Sequence, residues 1–115
     1  MLPNTLLAQL DQYSFHDLPI TSIQFTSGEG LRMLITATPY NEVAEAYSVL
    51  HLKFSGISAL QMDTVTLFED SEFEMYRFDY RYDTCFECEM LFLTGFGKPG
   101  FTIKLSCSAI MREEE

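Results

Sequence analysis

Phe101, Ile103, Leu105, Cys107 and Ala109 alternate strictly with Thr102, Lys104, Ser106 and Ser108. An α-helix repeats every 3.6 residues and cannot hold alternate positions on one face. An extended strand must, because successive side chains leave opposite sides of the pleat. The stretch therefore reads as a strand with one face buried and the other wet. The same period recurs in Phe86, Cys88, Met90 and Phe92 against Glu87, Glu89 and Leu91. It recurs again in Leu50, Leu52 and Phe54 against His51 and Lys53. In residues 76–83, Tyr76, Phe78, Tyr80 and Tyr82 form one face and Arg77, Asp79, Arg81 and Asp83 the other.

Turn chemistry separates these runs. Ser27-Gly28-Glu29-Gly30 joins an alternating segment around Ile23 and Phe25 to residues 31–38, which is a hairpin signal. Pro39-Tyr40-Asn41-Glu42 marks a loop, and a strand is expected over residues 46–54. Gly56-Ile57-Ser58 reads as an interruption, and residues 60–68 as a weaker strand around Val65 and Leu67. Gly95, Gly97, Pro99 and Gly100 form the last turn. Before all of this, Asn4 can cap a helix over residues 4–13 with Leu6, Leu7 and Leu10 on one side, and Pro19 disfavours helix in the residue before it. No strand–helix–strand spacing appears. The expected fold is mainly β (α+β): an N-terminal helix, then an antiparallel meander of six or seven strands forming a β-sandwich or a strongly curled sheet. All 115 residues are expected to form one domain, with 112–115 a frayed tail.

Charge narrows the partners. Seventeen acidic residues against seven basic ones give −10, and nine of the acids lie in residues 63–89 beside only Arg77 and Arg81. Nucleic acid and anionic membranes both require clustered Lys and Arg, so neither is an expected partner. A basic protein is. The candidate protein-binding residues are Glu69, Asp70, Glu72, Glu74, Arg77, Asp79, Arg81, Asp83, Glu87 and Glu89, interleaved with tyrosines of the kind that anchor interfaces. The alternative use of the same segment is construction: cross-strand Arg–Asp ladders on a solvated sheet face.

No motif fixes a reaction, so a non-catalytic role is expected, without cofactor or metal. Cys85 and Cys88 have C-x-x-C spacing. A structural zinc site needs four converging ligands, and residues three apart on a strand point to opposite faces. His16-Asp17 is a candidate for the mouth of a small-ligand pocket, or a turn-forming pair. The glycine clusters lie between strands and lack the helix start that a phosphate loop needs. Three cysteines and an N-terminus without a basic, apolar leader lead to a cytoplasmic expectation. No run reaches the apolar length of a membrane span.

His16-Asp17 before the first strand, Leu52-Lys53-Phe54-Ser55-Gly56-Ile57, and the closing Ile103-Lys104-Leu105-Ser106-Cys107-Ser108-Ala109-Ile110 together resemble small bacterial β-rich proteins that include immunity-type proteins of polymorphic toxin systems. The resemblance implies a cytoplasmic binding protein that neutralises a cognate toxin, and it carries no catalytic residues. Two other classes fit the same residues. One is a small-ligand binder with His16 and Asp17 at its pocket. The other is a homo-oligomer joined through the face of Tyr76, Phe78, Tyr80 and Tyr82.

Overall fold

The structure is a computed structural model and describes residues 17–41, 45–96 and 98–114. The helix expected over residues 4–13 lies outside them. The described chain forms β1 (Leu18–Thr26), β2 (Arg32–Ala37), β3 (Tyr40–Asn41), β4 (Ala46–Tyr47), β5 (Leu50–Met62), β6 (Phe73–Tyr82), β7 (Phe86–Leu93) and β8 (Phe101–Glu114). Six of them close into an antiparallel barrel in the order β1-β2-β5-β8-β7-β6, while β3 and β4 form a small separate hairpin.

Of the two expected arrangements, a sandwich or a strongly curled sheet, the sandwich does not form: the sheet curls until it closes as a barrel, and the simple meander divides into two. β1, β2 and β5 follow one another in space, as do β6, β7 and β8. The second set is reversed, so that β5 lies beside β8 and β6 beside β1. One sheet curled on itself buries a single inner face, which is all that one apolar face per strand requires. The core is that inner surface. Ile35, Leu50, Leu52, Met75, Met90, Phe92 and Ile103 are wholly buried. Phe92 stacks on Phe101 with ring centres 5.1 Å apart, and Phe54 approaches Phe78 at 6.3 Å.

Irregularities in the ladders decide which side chains face inward. Between Met75 and Arg77 the register of β6 against β7 slips by one residue, so two residues of β6 oppose one of β7. Met75 and Phe78 are therefore both buried, and Tyr76 is 41% exposed. This corrects the alternation read from the sequence: Tyr76 does not share the face of Phe78. β5 and β8 change phase together. Phe54 and Ile57 of β5 oppose Ile110 and Cys107 of β8, and Gly56 between them has φ +62°. Ile110 is buried and Ala109 exposed, the reverse of the expected phase. Gly56 therefore kinks β5 without ending it, because glycine adopts this left-handed conformation at no steric cost. The expected strands over 46–54 and 60–68 correspondingly redistribute. Residues 46–47 belong to the small hairpin, residues 60–62 complete β5, and 63–72 form the connection to β6. Arg112, Glu113 and Glu114, expected in a frayed tail, pair with Leu52, His51 and Leu50.

Candidate functional site

The charged face of β6 and β7 is built as the alternation requires, and it neutralises itself. Asp79 lies opposite Glu89, and Arg81 opposite Glu87. Two carboxylates facing each other repel, and Arg77 resolves this by reaching both, at 3.0 Å from Asp79 and 3.7 Å from Glu89. Arg81 pairs with Glu87. All of these groups are at least 41% exposed, so the pairs contribute little to stability. They do cancel most of the local field.

A shallow groove of about 490 Å³ crosses this face. Its floor follows from register. Leu60, Leu105, Cys88 and Tyr80 are aligned across β5, β8, β7 and β6. Cys88 and Leu105 bury their side chains in the core, so their row shows its backbone to the outside. Two outward rows make the walls. Gln61, Lys104, Glu89 and Asp79 stand on one side; Ala59, Ser106, Glu87 and Arg81 stand on the other. Rows two residues apart are ~6.8 Å apart, the width of one extended chain or a small polar ligand.

A second cavity, of about 570 Å³, lies at the seam where β1 meets β6. Its lining includes Ile20, Thr21, Glu72, Phe73, Glu74 and Phe96, and no Lys or Arg. Among the described residues β1 and β6 pair only through Leu18–Met75, Pro19–Glu74 and Ile20–Phe73. The connection 63–72 and the turn residues 94–96 and 98–100 fold over the same region. The Glu72 N–H donates to the Thr94 carbonyl at 3.2 Å, Lys98 pairs with Asp70, and the Lys98 ammonium sits 5.6 Å from the Phe68 ring centre. Thr94 is fully buried, and its hydroxyl donates to the Pro99 carbonyl at 2.8 Å, closing the turn from inside. Phe96 is wholly exposed, and Leu67 and Phe68 about half so. Glu69, Glu72 and Glu74 make no ion pair among the described residues.

The ten candidate surface residues therefore fall into two groups. Arg77, Asp79, Arg81, Glu87 and Glu89 form the paired ladder along the groove, with exposed Asp83 in the turn beyond it. Glu69, Asp70, Glu72 and Glu74 belong to the seam. Among the described residues Asp70 alone of these has an ion-pair partner, and the Lys98 hydrogen bond holds its carboxyl below the ordinary value. Asp17 is exposed at the start of β1 with φ 57° and lines neither cavity; its companion His16 lies outside the described residues.

Cys88 and Cys107 lie on the inner face, Cys107 one position diagonal to Cys88 across β7 and β8. Burial pushes both thiols up, Cys107 to about 11. No group of three or more His, Cys, Asp or Glu side chains converges as a metal site among the described residues. Nor, among those residues, is any helix long and apolar enough to cross a membrane.

Phe68, Phe96 and Lys98 had no role in the sequence-based expectation. The available signal was Gly95-Phe96-Gly97, a large aromatic between two glycines in a turn that has no interior to bury it. Compared with family models, curated proteins and solved structures, the chain matches none.

Proposed function

We propose that this chain is a non-catalytic binding protein whose partner is a basic protein, and that the partner docks on the β1–β6 seam. One observation carries the reading. The seam cavity is lined by Glu72 and Glu74 without a lining cation, beside a fully exposed phenylalanine. Carboxylates without local counter-charges project their field into solvent and steer a cationic surface, and an exposed aromatic supplies the apolar anchor. The ladder on β6 and β7 is the weaker candidate, because Arg77 and Arg81 already answer its acids. The resemblance to immunity-type proteins makes the partner a basic toxin that this chain neutralises in the cytoplasm by covering its active surface.

The test is affinity capture from the native host with wild-type protein, followed by association kinetics of the captured partner across a salt series. The variant Glu72→Lys/Glu74→Lys is expected to slow association by at least about tenfold at low salt, with the difference shrinking as salt rises. Phe96→Ala is expected to raise the dissociation rate. Asp79→Lys/Glu89→Lys serves as the comparison. If it slows association more than the seam variant does, the partner uses the ladder and the assignment is wrong.

A further inference from the structure

The groove across β5, β8, β7 and β6 ends at β5 without a wall. β2 pairs with β5 only over Leu50 to Phe54, and one further bond, from the Ile57 N–H to the Leu31 carbonyl, ends their contact. Beyond it, Ala59 to Met62 pair with β8 on one side and with no strand on the other among the described residues. This free edge opens on a bulge, Ser58 being the extra residue between Ile57 and Ala59, and carries no other usual guard. It holds no charged residue and no proline, and its end is apolar. Met62 lies opposite buried Ile103 on the inner face, yet is 48% exposed, so the barrel leaves inner surface uncovered at this corner.

We propose that two copies of this chain pair antiparallel through the free edge of β5, with Leu60 on the two-fold axis. Three observations select a second copy as the occupant. An unpaired antiparallel edge is self-complementary in backbone hydrogen bonds, and a two-fold contact uses the same residues on both sides. In a chain of net charge −10, two copies meet at least electrostatic cost where acids are absent, and Ala59 to Met62 is such a stretch. With Leu60 on the axis, Gln61 of each copy faces Ala59 of the other.

That register also completes the groove. The wall of Asp79, Glu89, Lys104 and Gln61 continues into Ala59, Ser106, Glu87 and Arg81 of the second copy, and the backbone floor runs through Leu60 without a step. The single chain has half of a longer channel. Its ends are charged and ladder-paired, and its centre is uncharged and made by both copies, a shape suited to an extended peptide. Edges shifted by two residues lose this alignment and bring Asp63 or the Gly56 kink into the contact.

Sedimentation equilibrium of the purified chain in about 0.15 M salt tests the proposal. Wild type is expected to show a reversible monomer–dimer equilibrium. Ala59 and Gln61 are both exposed on the outer face, so changes there spare the core. Ala59→Lys/Gln61→Lys places lysine opposite lysine twice and should weaken the dimer by about tenfold. Ala59→Lys/Gln61→Glu places lysine opposite glutamate and should restore it. A wild-type chain that stays monomeric at the highest soluble concentration overturns the proposal. So does a dimer indifferent to the lysine pair, which would place the contact elsewhere, and so does failure of the Lys/Glu combination to restore association.

Discussion

Replacing Gly56 by alanine should cost about 3 kcal/mol, and the sum can be taken apart. The residue has φ +62°, a region that disfavours a side chain by ~1 kcal/mol. An added Cβ would collide with Ser108 Oγ and stand 3.0 Å from Ser108 Cβ. The hydroxyl can rotate away, forfeiting only a long, exposed bond of 3.4 Å to the Ser55 carbonyl. The Cβ contact cannot be relieved by rotation, so β5 and β8 must separate slightly, and overpacking of that kind costs ~1–3 kcal/mol. For a chain of this length the total corresponds to a loss of roughly 12 °C in Tm. Urea unfolding followed by far-UV circular dichroism measures it, since the chain has no tryptophan. The decisive control is Ser108→Gly, which removes both opposing atoms. In that background Gly56→Ala should cost only the ~1 kcal/mol of backbone strain. A cost below about 0.5 kcal/mol in the native background, or the same cost in both, would refute the argument that a close approach of the two strands requires glycine.

Other outcomes follow from the core and its thiols. Phe92→Ala removes a wholly buried ring stacked on Phe101 and should cost ~3–5 kcal/mol in the same urea assay. Cys107 is held protonated to about 11 against an ordinary 9.0, and Cys88 is raised for the same reason, burial. A thiol whose pKa is higher in the folded state favours folding fully below pH 9 and loses that contribution as pH rises from 9 to about 11. Tm should therefore fall across that interval, and Cys107→Ala should flatten the fall. A fall of unchanged steepness in the variant would assign it to other groups.

The strands were legible wherever burial alternated without interruption, as in β7, where every second residue from Phe86 to Phe92 is buried. Reading failed at the ladder irregularities. Tyr76 looks like one more member of an aromatic face, because nothing in Met75-Tyr76-Arg77-Phe78 marks which residue is extra. Only the pairing with β7 shows it. Gly56 was visible but ambiguous: the residue that ends a strand in one context kinks a continuous one in another. Closure into a barrel was hidden for a related reason. Alternation reports that one face is buried, and says nothing of whether a second sheet or the far wall of the same sheet buries it. In the candidate site the acids were visible and their grouping was not. Arg77 and Arg81 fall among the ladder acids by register, while Lys98 reaches back to Asp70 across a long separation in sequence.

β8 follows all of its partners in the chain and yet lies in the middle of the sheet, between β5 and β7. β1, β2 and β5 can pair as they are made, and so can β6 and β7, because each contact is between near neighbours. The β5–β8 ladder joins distant segments from Leu50–Glu114 to Met62–Ile103, and its loop-closure entropy is met only when the final strand is present. Folding should accordingly belong to the slow, non-local class of ms to s. A nascent chain that has emerged as far as residue 100 would hold two bare strand edges, β5 and β7, on either side of the place β8 will fill. Aggregation during synthesis should be most acute at that point, just before β8 emerges.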